Sequence, residues 1–309
     1  MTRTLDYGSR GRVGLLLPSV NQAAEPQLRA MLPADIGIAV TRLKLVDSSE
    51  QALMGMIRDV EVASELLADA GVDVVVFHCT AASTYSTELE ASILERIEGA
   101  TRLPAVATSQ ALVAALEDLK ARRVVLLSPY LAAVNEREAA YFVHRGFDVL
   151  GNAGLGCSTG REMMAVTPEA WQAFALSHAH AQSDAYVLSC TTVRTAEAVE
   201  SLEQSLGRPV ITSNSAVAWY CMRKLGVTTE VPGYVDCSPV PIPSESGMQT
   251  SGICVEACLT QPRRVYMTPL GWKAGSPLQS LHHRAGWGGL RSSSGASCGR
   301  AAASRAMVR

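Results

Sequence analysis

The chain has 309 residues, 48% apolar and 18% charged, a balance that fits a globular protein of about two domains with a sizeable buried core. Its formal net charge of −2 gives no reason to expect nucleic acid or an anionic membrane as partner, and its longest apolar runs fall far short of a membrane span. Eight cysteines in a chain this long, none in a Cys-x-x-Cys pair, argue against a disulfide framework and against a zinc or other metal site. Residues 1–11 mix Arg3, Asp6 and Arg10 with small residues and lack an apolar segment. We read them as a flexible start with no secretory signal, which makes a cytoplasmic location with reduced thiols the expectation.

From residue 12 the pattern alternates. Residues 12–17 predict a strand, with Pro18-Ser19-Val20-Asn21 as the turn after it, a helix over 24–32 and a second strand over 36–45. Over 48–70 the apolar residues Leu53, Met56, Val60, Ala63, Leu66 and Ala70 recur at helical spacing, with Ser48 or Ser49 as N-cap and Gly71 as C-cap. An apolar strand over 72–78 then empties into Cys79-Thr80-Ala81-Ala82-Ser83-Thr84. A helix over 87–98, a strand over 104–107 and a helix over 110–120 close this half.

The second half restarts at Arg123-Val124-Val125-Leu126-Leu127-Ser128, which repeats the strand beginning at Arg12 at an offset of 111 residues. A helix over 132–145, a strand over 147–150, a loop over 152–160 and a helix over 168–182 follow. Asp184-Ala185-Tyr186-Val187-Leu188-Ser189 then runs into Cys190-Thr191-Thr192, and Cys190 lies 111 residues after Cys79. A helix over 196–206, the strand Pro209-Val210-Ile211-Thr212 and a helix over 215–225 complete the copy. Strands alternating with helices predict an α/β protein of two parallel-sheet halves, 12–121 and 122–233. Ligands of such sheets bind beyond the carboxyl ends of the strands, where both Cys-Thr turns, Asn21 and Tyr130 fall.

After Pro232-Gly233-Tyr234 the periodicity ends, apart from a short strand over 252–259. Residues 234–309 are rich in Ser, Gly, Pro and Arg and carry eight basic against three acidic side chains. A tail of this composition buries too little apolar surface to offset its ordering entropy, so we expect it to be disordered. Its Cys237, Cys254, Cys258 and Cys298 and the pair His282-His283 match no metal-ligand spacing.

The paired thiols carry the chemistry. A cysteine between a strand and a helix sits where backbone N–H groups and the helix dipole favour the thiolate, and the same donors can hold a carboxylate. One thiol can act as nucleophile or base while its twin supplies a proton from the opposite face. A single cysteine after a strand is more often a small buried hydrophobe; recurrence with the same Thr neighbour lifts this pair above that background. Cys157 in its loop and Cys221 within a helix stay in it. His78 precedes Cys79 on a strand, so alternation turns it to the other face. Asn21 also fits a turn-shaping role, Tyr130 a cover for the sheet edge, and Thr80 and Thr191 helix caps. Arg194 fits either a carboxylate partner or a solvated helix residue. Gly154, Gly156 and Gly160 lack the spacing of a dinucleotide fingerprint.

Residues 12–21, Cys79-Thr80, Ser128-Pro129-Tyr130, Cys190-Thr191-Thr192-Val193-Arg194 and residues 209–214 together resemble the aspartate/glutamate racemase superfamily, in its maleate cis-trans isomerase and arylmalonate decarboxylase branch. The resemblance covers residues 12–234. It implies two flavodoxin-like halves related by a pseudo-twofold axis, an active site between them and no cofactor. It implies that Cys79 adds as thiolate to an alkene carbon and that Cys190 protonates the neighbouring carbon. Asn21 and Tyr130 would hold the carboxylates of a small dicarboxylate substrate, with the Thr80 and Thr191 side chains and backbone N–H groups such as that of Ala81. The decarboxylase pattern has glycine in place of Cys79, so two thiols tilt the chain toward an isomerase. The isomerase pattern has an Asp-Asn pair where this chain reads Cys157-Ser158-Thr159-Gly160, which gives Ser158 or Thr159 the carboxylate role and allows a substrate other than maleate. An amino-acid or hydantoin racemase, a decarboxylase of a substituted malonate and a non-catalytic ligand-binding protein are the alternatives. The sequence leaves the oligomeric state open, a homo-oligomer included.

Overall fold

The computed structural model describes residues 5–228. The expectations for 229–309, namely the Pro232-Gly233-Tyr234 boundary, the strand over 252–259, the disordered tail and its Cys and His residues, lie outside the described residues. The first half runs β1 (Arg12–Pro18), α1 (Ala24–Met31), β2 (Gly37–Leu43), α2 (Glu50–Ile57), α3 (Val60–Asp69), β3 (Val74–Phe77), α4 (Thr80–Ser83), α5 (Thr87–Thr101), β4 (Ala105–Ala107) and α6 (Thr108–Asp118). The second runs β5 (Arg123–Ser128), α7 (Ala132–His144), β6 (Asp148–Gly154), α8 (Gly160–Ala165), α9 (Pro168–Ser177), β7 (Ala185–Leu188), a 3₁₀ turn (Ala196–Ala198), α10 (Val199–Leu206), β8 (Val210–Thr212) and α11 (Ser213–Lys224). Among the described residues no helix is long and apolar enough to cross a membrane.

The strands form two parallel sheets of the same order, β2-β1-β3-β4 and β6-β5-β7-β8, the doubly wound flavodoxin-like arrangement. The duplication extends to register. Arg12 pairs with Gly37 and Val13 with Val74, while Arg123 pairs with Asp148 and Val124 with Ala185, all at the 111-residue offset. The same offset relates Asp73, whose carboxylate accepts the Arg12 backbone N–H, to Asp184, which accepts that of Arg123. The inner strands β1, β3, β5 and β7 are buried on both faces, as parallel sheets require, while the edge strands β2 and β6 are part-exposed. Val13, Leu15, Val74, Val124, Leu126 and Val187 face one core, to which α6 and α11 both contribute; Leu16, Val75, Phe77, Val125, Leu127 and Leu188 face the other.

Local differences from the sequence expectation have physical causes. The helix expected over 48–70 is two helices, capped at Ser49, whose hydroxyl accepts the Ala52 N–H. The chain turns at Arg58 and Asp59 because the Arg96 guanidinium, held by Glu61, takes the Ile57 and Arg58 carbonyls. Gly71 does follow α3, at a φ of 68° that favours glycine. Strand β6 continues four residues past its expected end. A register shift against β5 between Val124 and Val125 absorbs an extra residue, and Asn152 pairs with the Asn135 amide, so a stretch that reads as loop stays in the sheet. The loop before α9 contains the extra helix α8. It is capped by a Thr159 and Glu162 box.

Candidate active site

In each sheet the chain leaves its first strand in one direction and returns on the other side, so a crevice opens between the carboxyl ends of the first and third strands. The first half places Pro18 and Cys79 there, and the second places Tyr130 and Cys190. The two crevices merge. Cys79, Thr80 and Ala81 from one half and Tyr130, Cys190 and Thr191 from the other line a single cleft of about 400 Å³, mouth included. Six of the nine residues singled out from the sequence are thereby brought together.

The other three are placed differently. Asn21 is buried behind the wall. Its Oδ1 accepts the Ala23 and Ala24 N–H groups at the entry to α1, and its Nδ2 donates to Thr191 Oγ1 at 2.9 Å. Thr191 thus accepts from Asn21 and has its own proton left to donate. Ser158 and Thr159 are not among the lining residues, although their neighbour Gly160 is. Their backbone N–H groups go to the Glu162 carboxylate, and the Thr159 hydroxyl accepts the Glu162 N–H, so the pair shapes the start of α8. His78 points away from the cleft, as strand alternation requires, and lies between Thr108 and Asn214. Arg194 is not among the lining residues either; the Glu169 carboxyl is lowered first by its hydrogen bond with Thr167, and the Arg194 charge adds a smaller share.

Asp47, Ser48, Leu53 and Met163 line the cleft without having been recognised in the sequence. Asp47 pairs with Thr159 in an isolated antiparallel bridge, so the loop before α2 meets the loop before α8 over the site. Met163 Sδ lies 3.9 Å from Cys190 Sγ. Among the described lining residues Asp47 carries the only charged side chain. The hydrogen-bond donors of the cleft are neutral hydroxyl and backbone N–H groups.

The two cysteine turns are not alike. Cys79 precedes α4 in extended backbone, at φ −144°, with the turn's N–H groups behind it. Cys190 has a φ of 94°, a conformation a side chain adopts only under strain, and no helix begins until residue 196. The expected helix start at both thiols is thus present only at Cys79. The expected preference for thiolate is also outweighed. Burial pushes Cys79 up to about 12, although the Ala82 and Ala81 N–H groups pull the other way and a charge on Cys190 adds to the rise. Burial likewise pushes Cys190 up to about 11, against the Tyr130 hydroxyl and the Thr192 N–H, which sits 3.3 Å from its sulfur. Burial and the neighbouring thiols raise Tyr130 well above its ordinary value, so its hydroxyl keeps its proton to donate.

A sequence profile described as arylmalonate decarboxylase matches residues 13–237 of this chain. The chain belongs to the arylmalonate decarboxylase family. Within that family it is similar to the maleate isomerase of Nocardia farcinica, 28% identical over 241 residues that cover 72% of this chain and 93% of that one. It is also similar to the arylmalonate decarboxylase of Bordetella bronchiseptica, 29% identical over 238 residues covering 74% and 97%. Among solved structures it resembles a cysteine-to-serine variant of the Nocardia farcinica maleate cis-trans isomerase with a covalently bound succinylcysteine intermediate, with a TM-score of 0.69 at 26% identity over 72% of this chain and 96% of that one. The match places the chain in the maleate isomerase and arylmalonate decarboxylase branch and agrees with its two-sheet architecture.

Proposed function

We propose that this chain is a cofactor-independent cis-trans isomerase of a small unsaturated dicarboxylate, and that Cys79 and Cys190 carry the reaction. The observation that supports it is the convergence of two thiols, one from each sheet, on one cleft whose donors are neutral hydroxyl and backbone N–H groups. A charge on Cys190 raises Cys79 further, so the pair favours one thiolate beside one thiol over two thiolates. Two-step addition and elimination needs that combination.

With Cys79 as thiolate, its sulfur adds to one alkene carbon while the Cys190 S–H proton passes to the other. One C–S bond and one C–H bond form, the C=C bond becomes single, and Cys190 is left as thiolate. Rotation about the C–C bond follows. Cys190 then takes a proton back from the same carbon, the C–S bond breaks, and the trans diacid leaves with both cysteines restored. During addition negative charge spreads onto the adjacent carboxylate, where the Tyr130 and Thr191 hydroxyls and the Ala81 N–H stand, while the Thr80 hydroxyl donates to Ser213; a well-placed donor of this kind is worth roughly 3 kcal/mol. The succinylcysteine held by the Nocardia farcinica relative is the kind of adduct this sequence passes through.

The apolar wall of Leu45, Leu53 and Met163 favours a second reading, decarboxylation of a substituted malonate with Cys190 as proton donor. One experiment separates them: the full chain incubated with maleate and, separately, with a phenyl-substituted malonate, followed by NMR. Isomerisation predicts fumarate from the wild type and none from Cys79→Ala or Cys190→Ala. Decarboxylation without isomerisation, or fumarate formation by either variant at the wild-type rate, rejects the two-thiol isomerase.

A further inference from the structure

Helix α11 opens with two fully buried polar residues, Ser213 and Asn214, which touch the flanks of both cysteines. Ser213 Oγ accepts the Thr80 hydroxyl at 2.9 Å and the Cys190 backbone N–H at 3.1 Å. Asn214 Oδ1 lies 2.9 Å from His78 Nε2, and its Nδ2 faces the Thr191 carbonyl at 3.4 Å and Gln27 Oε1 at 2.7 Å. His78 and Thr80 are the two chain neighbours of Cys79. The Cys190 N–H and the Thr191 carbonyl bracket the strained Cys190 backbone.

Ordinary helix capping does not account for these contacts. Thr212 is the N-cap of α11, its hydroxyl accepting the Ser215 N–H, so the Ser213 hydroxyl has no capping duty. At the equivalent start of α6 the Thr108 hydroxyl donates to the Phe77 carbonyl and faces His78, staying within its own half. Of these two first-turn hydroxyls, only that of α11 bonds across the halves.

We infer that Ser213 and Asn214 form a positioning pair for the two-thiol chemistry: they gauge the Cys79 turn against the Cys190 turn and hold Cys190 in its strained backbone. The inference rests on the reaction proposed above for its consequence, but not for its geometry. A buried hydroxyl that accepts from both turns fixes their separation more tightly than either sheet alone, since each turn is otherwise anchored to its own sheet.

The test reads thiol chemistry as well as turnover. In the full chain, alkylation of Cys79 and Cys190 by iodoacetamide is followed by peptide mass mapping, with Cys157 in the same molecule as the internal standard. Ser213→Ala should change the alkylation rates of Cys79 and Cys190 by fivefold or more while Cys157 stays within twofold. Ser213→Thr, which keeps the hydroxyl, should restore most of the difference. With maleate as substrate, Ser213→Ala should lower kcat at least tenfold and leave KM within about threefold. Should Ser213→Ala not fold, Thr80→Val removes the same bond from the opposite half, and a fivefold change at Cys190 from that substitution supports the pair. Alkylation rates at Cys190 within twofold of wild type in whichever variant folds overturn it. A wild type that turns over no dicarboxylate would defeat the proposed reaction but leave the alkylation arm intact, so the two failures are distinguishable.

Discussion

Replacing Glu138 by Gln should change how stability depends on pH, by an amount the structure sets. Glu138 lies on α7, 1% exposed, behind the Cys190 turn. One carboxyl oxygen accepts the Ser189 hydroxyl and the other has no hydrogen-bond partner. Burial pushes the carboxyl from its ordinary 4.5 up to about 7, and the Ser189 bond offsets only part of the rise. Between those values the native chain holds a proton that the unfolded chain has released, so stability falls as pH rises. The contribution is complete below 4.5 and gone once the pH has passed 7. At about 1.4 kcal/mol per unit, the gap is worth about 3 kcal/mol. A neutral glutamine has no such term. Urea unfolding of both proteins at several pH values should therefore show the Gln variant gaining about 3 kcal/mol on the wild type between roughly pH 4 and pH 8. A difference constant to within about 1 kcal/mol across that range would mean that the native carboxyl ionises near its ordinary value, and the burial argument would fail.

Three further outcomes follow from particular residues. His78 is held neutral by burial, down to about 4 from 6.5, so its contribution is complete above 6.5 and lost as pH falls toward 4; His78→Gln should remove about 3 kcal/mol of acid sensitivity, opposite in sign to the Glu138 effect, in the same unfolding series. A Cβ at Gly154 would lie 2.4 Å from the Tyr130 carbonyl oxygen, backbone against side chain with no flexible atom to yield. Gly154→Ala should therefore cost about 1–3 kcal/mol and lower turnover by displacing Tyr130, read by thermal unfolding and steady-state kinetics; a melting temperature equal to wild type would contradict it. Because Cys190 has a φ of 94°, Cys190→Gly should be more stable than Cys190→Ala by about 1 kcal/mol although both lose turnover, and equal stabilities would show that the turn carries no strain.

The parts of the site that were legible in the sequence are those fixed by local pattern. Apolar runs placed Cys79 and Cys190 at strand ends, and the repeated offset put them at matching points of two sheets. What the pattern missed depends on contacts between distant segments. Asp47 drew no reading and Ser48 read only as a possible helix N-cap, because their place over the cleft is set by the pairing of residue 47 with residue 159. Ser158 or Thr159 was given the carboxylate role by the resemblance, which has an Asp-Asn pair there, but in the structure the nearby Glu162 takes their N–H groups for a helix start. The ionisation of the thiols was misjudged for a related reason. Backbone dipoles are visible in a strand-to-helix turn, whereas the desolvation that outweighs them accumulates over neighbours from both halves.

The duplication explains why two thiols meet, and its imperfections explain how they can differ. By the 111-residue offset His78 corresponds to Ser189 and Gln27 to Glu138. His78, the chain neighbour of Cys79, is a neutral imidazole, and Gln27 is an amide that donates to the Val193 carbonyl; both are engaged through Asn214. Behind Cys190 the chain has a hydroxyl and a carboxyl that titrates near neutrality and raises the Cys190 thiol when ionised. A perfectly symmetric pair would have no preference for which sulfur adds and which donates. Here the backbone supplies the symmetry that brings the sulfurs to one cleft. The buried second layer breaks it: an ionised Glu138 raises Cys190, burial still leaves Cys79 the higher of the two at about 12 against about 11, and the strained turn at Cys190 has no counterpart at Cys79. In the proposed reaction the two thiols are told apart by residues outside the cleft lining, and exchanging the second layers by Gln27→Glu with Glu138→Gln should weaken the distinction between the thiols without moving either strand.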